Sequence, residues 1–182
     1  QGGGGRIAYL DLDNVTSDIA QYRDQVDVIV VSIHGDIEFQ PAPSIPRLNL
    51  CRAIADAGPD LILCHHPHVP QGVETREGCI IHYSLGNFLF DITGYQLNNT
   101  DNVSRSHIFY VDIEDGKITG WRRRYYRLDR EYGRPCALSP AQQEEEDRYY
   151  QELDALLENP ERLRELWHEN CLRRLGRMLE RI

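Results

Sequence analysis

The sequence has little that would indicate a cross-linked, membrane-spanning or nucleic-acid-binding protein. Its five cysteines are an odd number without a C-x-x-C pair, so neither a disulfide framework nor a zinc ribbon is indicated. No apolar run approaches the roughly 18 to 20 residues that span a bilayer, and no signal-peptide pattern opens the chain. Acidic residues outnumber basic ones by 29 to 20, and a formal net charge of −9 repels nucleic-acid backbones. We therefore expect free thiols and no nucleic-acid partner, in either the cytoplasm or the cell envelope.

The composition is that of a folded protein. Hydrophobic residues make up 41% of the 182 positions, and the Phe, Trp and Tyr counts of 4, 2 and 10 give 16 aromatic residues. Such a chain can bury enough apolar surface to offset the loss of chain entropy. The length suits one domain with a core, or one domain with a helical appendage, but not two full-sized domains.

Two apolar segments and the stretch between them predict a strand, a helix and a second strand. Residues 26–33 are nearly all Val and Ile, as in a parallel-sheet strand that is covered on both faces. Ser44 can cap a helix that runs to Ala57 and ends at Gly58. Residues 60–64 form the second apolar segment. This order is typical of a βαβ unit, whose two strands are parallel.

Turn signals and helical spacing organise the rest of the chain. Two β-hairpins are predicted, one over residues 72–83 and one with arms at 106–113 and 117–126. From Ser139 the spacing becomes helical, with one capping box and a second helix start at Asn159. The apolar stripe of these helices comprises Leu163, Leu166, Trp167, Leu175, Met178 and Leu179. We expect an α/β domain over residues 1–138 and a helical tail over 139–182. Within the domain, a short amphipathic helix at 14–25 should precede the first strand.

Histidines follow both strands of the predicted βαβ unit. His34 comes directly after the first strand, and the H-H-P-H run of 65–68 comes directly after the second. The carboxyl ends of parallel strands meet at one sheet edge, where neighbouring backbones lie about 4.8 Å apart. Imidazole is a common ligand of zinc, manganese, iron and cobalt. The sequence therefore predicts that the two clusters can meet around a metal ion.

The alternative is a polar loop whose histidines only form hydrogen bonds with the backbone. Four of the seven histidines fall at equivalent strand ends, which favours a site. His82 and His107 lie within predicted strands and His168 lies in the tail, so a structural role is preferred for these three. Asp36 and Glu38 are either outer carboxylates of the site or solvated loop charges.

The basic segment 121–127 also has two interpretations. Its arginines alternate with aromatic residues and could bind a polyanion. The preferred interpretation is a strand whose arginines face water and are balanced by the acidic residues 144–147.

Four sequence blocks, in order, resemble a known family. They are V-V-S-I-H at 30–34, D-A-G-P-D-L at 56–61, H-H-P-H-V at 65–69 and Y-S-L-G-N-F at 83–88. Together they are similar to the poly-γ-glutamate capsule synthesis protein family CapA (PgsA), of the calcineurin-like metallophosphatase superfamily. The resemblance covers roughly residues 7–113 and does not include the helical tail.

The resemblance implies a fold and a set of site residues. The fold would be the carboxyl-terminal portion of a metallophosphatase-like αββα sandwich, followed by the helical tail. His34, His66 and His68 would be ligands of divalent metal ions of the Mn, Fe or Zn class, in a two-metal centre of the intact domain. The catalytic positions would be Glu38, Asn87 and His65, with His65 contacting substrate or supporting a ligand. In the superfamily, a hydroxide that bridges two metals attacks phosphorus.

The chain departs from the family pattern in three ways. The tryptophan of the family's H-W-G block is missing at His34-Gly35-Asp36, and Cys64 replaces the glycine before the double histidine. Cys64 either packs in the core, which is preferred, or adds a soft ligand. The G-D, N-L-E and N-N-H motifs do not occur before Val26, so we expect that the amino-terminal portion of the domain is missing from this chain.

The resemblance leaves three functional hypotheses. The preferred one is a metal-dependent hydrolase-type site in poly-γ-glutamate capsule biosynthesis, which acts on an anionic polymer or a phosphoester substrate. The others are a non-catalytic capsule-assembly component with a degenerate site and a general metallophosphoesterase. The expected partner is a membrane-bound capsule synthesis complex.

Overall fold

The computed structural model describes residues 9–90, 101–129, 131 and 133–179, which form two β-sheets with α-helices packed against them. The α-helices within these ranges are α1 (Leu12–Tyr22), α2 (Ile45–Ala55), α3 (Pro140–Leu157) and α4 (Pro160–Leu179), and a 3₁₀ turn spans Asp101–Ser104. The strands are β1 (Val30–His34), β2 (Leu61–His65), β3 (Val73–Arg76), β4 (Cys79–His82), β5 (Arg105–Glu114), β6 (Lys117–Leu128) and β7 (Pro135–Cys136). The predicted α/β class and helical tail are confirmed.

The first sheet has the strand order β1-β2-β4-β3. β1 and β2 are parallel, with Val30 opposite Leu61 and His34 opposite His65. β2 and β4 are also parallel, and β3 pairs antiparallel with β4 across a tight turn at Glu77 and Gly78, both with positive φ. The predicted βαβ unit and the first predicted hairpin are therefore confirmed.

The prediction that the first strand is covered on both faces is wrong. β1 lies at the edge of the sheet among the described strands, and it begins at Val30 rather than at residue 26. Ile33 is buried, but the Val30 side chain is 50% exposed. A run of β-branched residues indicates that a segment forms a strand. Whether that strand lies at the edge or in the centre of a sheet depends on which other strands pair with it.

Helix α2 builds the main core. The Ser44 hydroxyl accepts the Arg47 N–H at 3.2 Å and caps the helix as predicted. The predicted apolar face is buried and comprises Leu48, Cys51, Ile54 and Ala55. These side chains pack with Ile33, Ile62 and Cys64 of the parallel strands, so the helix fixes the position of the two strands whose ends carry histidines.

The second sheet, β5-β6-β7, packs across the other face of the first. Its long hairpin turns at Asp115 and Gly116, as predicted. Apolar side chains of both sheets form one cluster, which contains Leu61, Val73 and Ile80 from the first sheet and Phe109, Val111 and Ile118 from the second. This two-layer arrangement leaves the ends of β1 and β2 at one edge of the molecule.

The first tail helix, α3, packs on the domain. Ser139 and Gln142 form the predicted capping box, and Tyr150, Leu153 and Leu157 are buried. The helix backbone approaches Gly72 so closely that a Cβ atom there would collide with the Leu153 carbonyl oxygen. The α3 helix is thus part of the domain's packing.

The second tail helix, α4, is only partly packed. Leu163 is buried, but Leu175 and Leu179 are 53% and 62% exposed, so the predicted apolar stripe is covered only in its first part. The Met178 side chain lies outside the described residues. None of the described helices has the length and apolar character needed to cross a membrane.

Candidate metal centre

The two predicted histidine clusters lie together at one edge of the first sheet. β1 and β2 end side by side, with His34 in register with His65. The Gly35 N–H donates to the His65 carbonyl oxygen at 3.1 Å, which joins the two loops that leave the strands. The carboxyl ends of parallel strands are the usual location of ligand sites in α/β sheets.

Three side chains of these loops converge on one point. Glu38, His66 and His68 each offer one ligand atom, and the three atoms lie within 4.8 Å of one another. All three side chains are partly exposed, so solvent reaches them. This spacing and this mixture of imidazole and carboxylate suit a divalent transition-metal ion.

His34 and His65 flank this three-residue cluster. The His34 ring centroid is 5.2 Å from that of His66 and 6.5 Å from that of His65. The structure therefore brings all four strand-end histidines together, with Glu38, His66 and His68 as the tightest group. Burial, and then the neighbouring His34, lower the pKa of His65, which favours its neutral form.

Asn87 orients one of the candidate ligands. The His68 Nδ1 atom lies 2.9 Å from the Asn87 Oδ1 atom, and the Asn87 Nδ2 atom donates to the Val103 carbonyl oxygen at 3.3 Å. The second contact sets the amide orientation, so the amide oxygen faces His68 and accepts its Nδ1–H. The Nε2 lone pair of His68 is then available to a metal ion.

The loops of the cluster have strained backbones. Within these two loops, the residues other than glycine that have positive φ are Asp36 (97°), Phe39 (64°), His66 (104°) and His68 (61°). Two hydrogen bonds hold these conformations, from the Phe39 N–H to the Pro67 carbonyl at 2.8 Å and from the Ser44 N–H to the Asp36 carboxylate at 2.9 Å. Such strain is concentrated at functional sites, where the surrounding structure fixes it.

The sequence did not predict the aromatic walls of the site. The Phe90 ring centroid lies 4.8 Å from that of His68, and Phe39 lies on the same imidazole at 6.1 Å. The available sequence signal was the position of Phe90, two residues beyond the Y-S-L-G-N-F block that resembles the family. The two rings limit the movement of the His68 side chain.

Cys64 is not part of the site. Its side chain is 1% exposed and packs in the core beneath α2, with its Sγ atom 3.7 Å from that of Cys51. The preferred interpretation, packing rather than metal ligation, agrees with this position.

The basic segment 121–127 is largely neutralised within the protein. Arg122 pairs with Asp112 at 2.6 Å, Arg123 with Asp154 at 2.7 Å and Arg127 with Glu145 at 2.7 Å. The acidic partners of Arg123 and Arg127 lie on α3. The segment therefore joins the tail helix to the second sheet, and this pairing favours a balanced strand over polyanion binding. Two parts of the prediction are wrong: the Arg123 side chain is 5% exposed and does not face water, and Arg122 and Arg123 pair with Asp112 and Asp154 rather than with residues 144–147.

His82 and His107 form a buried pair far from solvent. Their Nε2 atoms are 2.7 Å apart, and the His107 Nδ1 atom lies 2.9 Å from the Tyr150 hydroxyl. Burial lowers the pKa of His107 to about 3 and places that of His82 well below its usual value. The preferred structural role for these two histidines is in keeping with this arrangement, which links the two sheets to α3.

Comparison with known proteins identifies relatives of the first half of the chain. Residues 4–92 match the family model described as bacterial capsule synthesis protein PGA_cap. Over 73 residues the chain is 42% identical to the PGA biosynthesis protein CapA of Bacillus subtilis (strain 168), an alignment that covers 40% of this chain and 19% of that protein. Over 69 residues it is 44% identical to the capsule biosynthesis protein CapA of Bacillus anthracis, with 38% and 17% covered. The chain thus spans about a fifth of the length of the curated relatives it matches.

Proposed function

We propose, from the match of residues 4–92 to the bacterial capsule synthesis protein family, that the histidine-rich sheet edge of this chain is a metal-dependent hydrolase site. The proposed substrate is an anionic polymer of the poly-γ-glutamate type or a phosphoester. The observation that carries the proposal is the convergence of Glu38, His66 and His68 within 4.8 Å.

The donor set fits a divalent ion of the Mn, Fe or Zn class. Two imidazoles and one carboxylate are a common protein ligand set for such ions, and three protein ligands leave positions for water or substrate. A bound ion would lower the pKa of a water ligand and polarise a carbonyl or phosphoryl oxygen. The proposed ligands are His66 and His68, with Glu38 as carboxylate and His34 as a further ligand.

The remaining residues would position the ligands and substrate. Asn87 fixes the tautomer of His68, and Phe39 and Phe90 hold its ring. His65 lies beside His34 and in its neutral form can accept a proton or a hydrogen bond from a substrate group. Loop strain held by hydrogen bonds is consistent with a site whose geometry is fixed before substrate arrives.

The proposal also includes a two-metal centre and a partner complex. A second ion needs ligands beyond the described cluster, and we propose that they come from an amino-terminal portion of the domain. The whole protein would act with a membrane-bound capsule synthesis complex.

Metal analysis of the purified chain tests the proposal. We expect the unmodified protein to bind a divalent ion in equilibrium dialysis against zinc or manganese, and the His66→Ala/His68→Ala variant to bind far less. His168→Ala is the matched control, because His168 lies exposed on α4, and its metal content should be unchanged. Equal metal content in all three proteins would contradict the ligand assignment.

Activity measurements then separate the hypotheses. Hydrolysis of poly-γ-glutamate that is lost with His66 and His68 supports the capsule hydrolase, and hydrolysis of a chromogenic phosphate ester alone supports a general metallophosphoesterase. Metal binding without turnover of either substrate, in a protein that contains the complete domain, would favour a non-catalytic assembly component.

A further inference from the structure

Two buried thiols face each other beneath the candidate metal centre. Cys51 lies on α2 and Cys64 on β2, and their side chains are 0% and 1% exposed. Their Sγ atoms are 3.7 Å apart, in hydrogen-bonding contact. A disulfide needs a separation of about 2.05 Å, so the two sulfur atoms must approach by about 1.6 Å.

A guanidinium group lies next to this pair. Arg47 precedes Cys51 by one helical turn on α2, and its Nη1 atom is buried without a hydrogen-bond partner among the described residues. The hydrogen bond from Cys64, and then the charge of Arg47, lower the pKa of the Cys51 thiol against the opposing effect of burial. Nearby positive charge stabilises the thiolate, which is the nucleophilic form of cysteine.

We propose that Cys51 and Cys64 are a redox modification site at which a hydroperoxide forms an internal disulfide. The Cys51 thiolate attacks the peroxide, which breaks the O–O bond, gives a sulfenic acid and, with one proton, releases water or an alcohol. The Cys64 sulfur then attacks the Cys51 sulfur and breaks its S–O bond, and the hydroxyl leaves as water with the proton of the Cys64 thiol. Overall, the two thiols together lose two electrons, and these electrons reduce one peroxide.

The disulfide would join the two elements that support the site. Cys64 immediately precedes His65 and His66, and the Arg47 Nη2 atom packs against Gly35, directly after His34. A cross-link between α2 and β2 therefore secures the base of both histidine loops. The inference does not depend on the proposed hydrolase activity, because it rests only on the two thiols and Arg47.

Peptide mapping after peroxide treatment tests the inference. In a Cys136→Ser/Cys171→Ser background, which removes the exposed thiols, Cys51, Cys64 and Cys79 remain. The protein is treated with hydrogen peroxide, then denatured without reductant and alkylated. We expect the alkylated thiols to fall from three to one, with a linked peptide pair that contains residues 51 and 64 and separates on reduction.

Variants and a stability measurement complete the test. Cys79→Ser removes a buried thiol whose Sγ atom contacts the Ile80 carbonyl oxygen, and the disulfide should still form. Cys64→Ser should abolish it. The unfolding midpoint of the oxidised protein should rise by about 5 °C or more over that of the reduced protein. Alkylation of all three thiols after treatment, or a linked pair that contains Cys79, would overturn the inference.

Discussion

Two groups of histidines in this protein share the same chemistry and differ in their surroundings. His34, His65, His66 and His68 lie at the open end of two parallel strands, where solvent reaches the Glu38, His66 and His68 cluster. His82 and His107 lie between the two sheets, buried and hydrogen-bonded to each other and to Tyr150. The comparison shows that strand position, rather than residue type, separates a candidate metal ligand from a structural histidine.

The largest expected effect comes from removing the open cluster. His66→Ala/His68→Ala should weaken divalent-metal binding by more than about 100-fold, because two of three converging ligands are lost. The free energy of unfolding of the metal-free protein should change little, since these side chains are partly exposed. Titration calorimetry and urea unfolding give the two values. A large loss of unfolding free energy with metal affinity unchanged would show instead that His66 and His68 have a structural role.

Removing a member of the buried pair should have the opposite result. His107→Leu leaves the His82 Nε2 atom and the Tyr150 hydroxyl without this partner, which should cost about 2–4 kcal/mol of unfolding free energy. Metal affinity at the sheet edge should stay within about twofold, because the hydrogen bonds that are lost join His82 and Tyr150 and involve none of the three converging ligands. Urea unfolding of the metal-free variant beside the unmodified chain provides the measurement, and an unchanged midpoint would contradict it.

The buried pair also predicts a pH dependence. The folded pKa of His107 is about 3, below its ordinary value of 6.5, so the unfolded state binds more protons between these limits. The contribution of His107 to the free energy of unfolding should be fully present above about pH 6.5 and should be lost as the pH drops from there toward 3. The groups that face His107 are His82, Tyr150 and Arg123, and none of them is an anion that could stabilise its charged form.

Urea unfolding between pH 7.5 and pH 5 measures this dependence, in a range above the ordinary pKa of carboxyl groups. His107→Gln should reduce the slope by about the contribution of one proton. Equal slopes for the two proteins would show that His107 does not titrate as its burial requires.

A smaller effect is expected for the residue that orients His68. Asn87→Ala should weaken metal binding by about 10- to 100-fold, because supporting hydrogen bonds to metal ligands have this magnitude. Asn87→Asp keeps an oxygen that can accept the His68 Nδ1–H and should restore most of the affinity. Failure of the aspartate variant to differ from the alanine variant would show that Asn87 acts only through packing.

The smallest effect should come from an exposed ion pair. Arg122 and Asp112 are 59% and 50% exposed, whereas the Arg123 side chain in its pair with Asp154 is 5% exposed. Arg122→Gln should leave the urea midpoint unchanged within error, because solvent screens the exposed pair. Arg123→Gln should lower the midpoint. Equal effects would show that burial does not set the strength of these pairs.

Local sequence features predicted the framework of the site. Ser44, Gly58 and the D-G turn at 115–116 act within a few residues of themselves, so helix and hairpin limits could be predicted from neighbouring residues. The histidines at the carboxyl ends of β1 and β2 could be placed at one sheet edge, because the parallel strands of a βαβ unit end on the same side.

Contacts between distant segments could not be predicted in this way. The edge position of β1, the Cys51 and Cys64 contact and the packing of Phe90 on His68 each depend on how separate elements dock. The exposed end of α4 is a similar case, because its apolar spacing does not specify whether a neighbour covers it.

Anomalous X-ray scattering from crystals grown with zinc or manganese tests the central claim most directly. We expect a peak among Glu38, His66 and His68, at about 2.0–2.2 Å from the nitrogen and oxygen ligand atoms. Strong peaks only at other places, with these three side chains directed away from any ion, would contradict it.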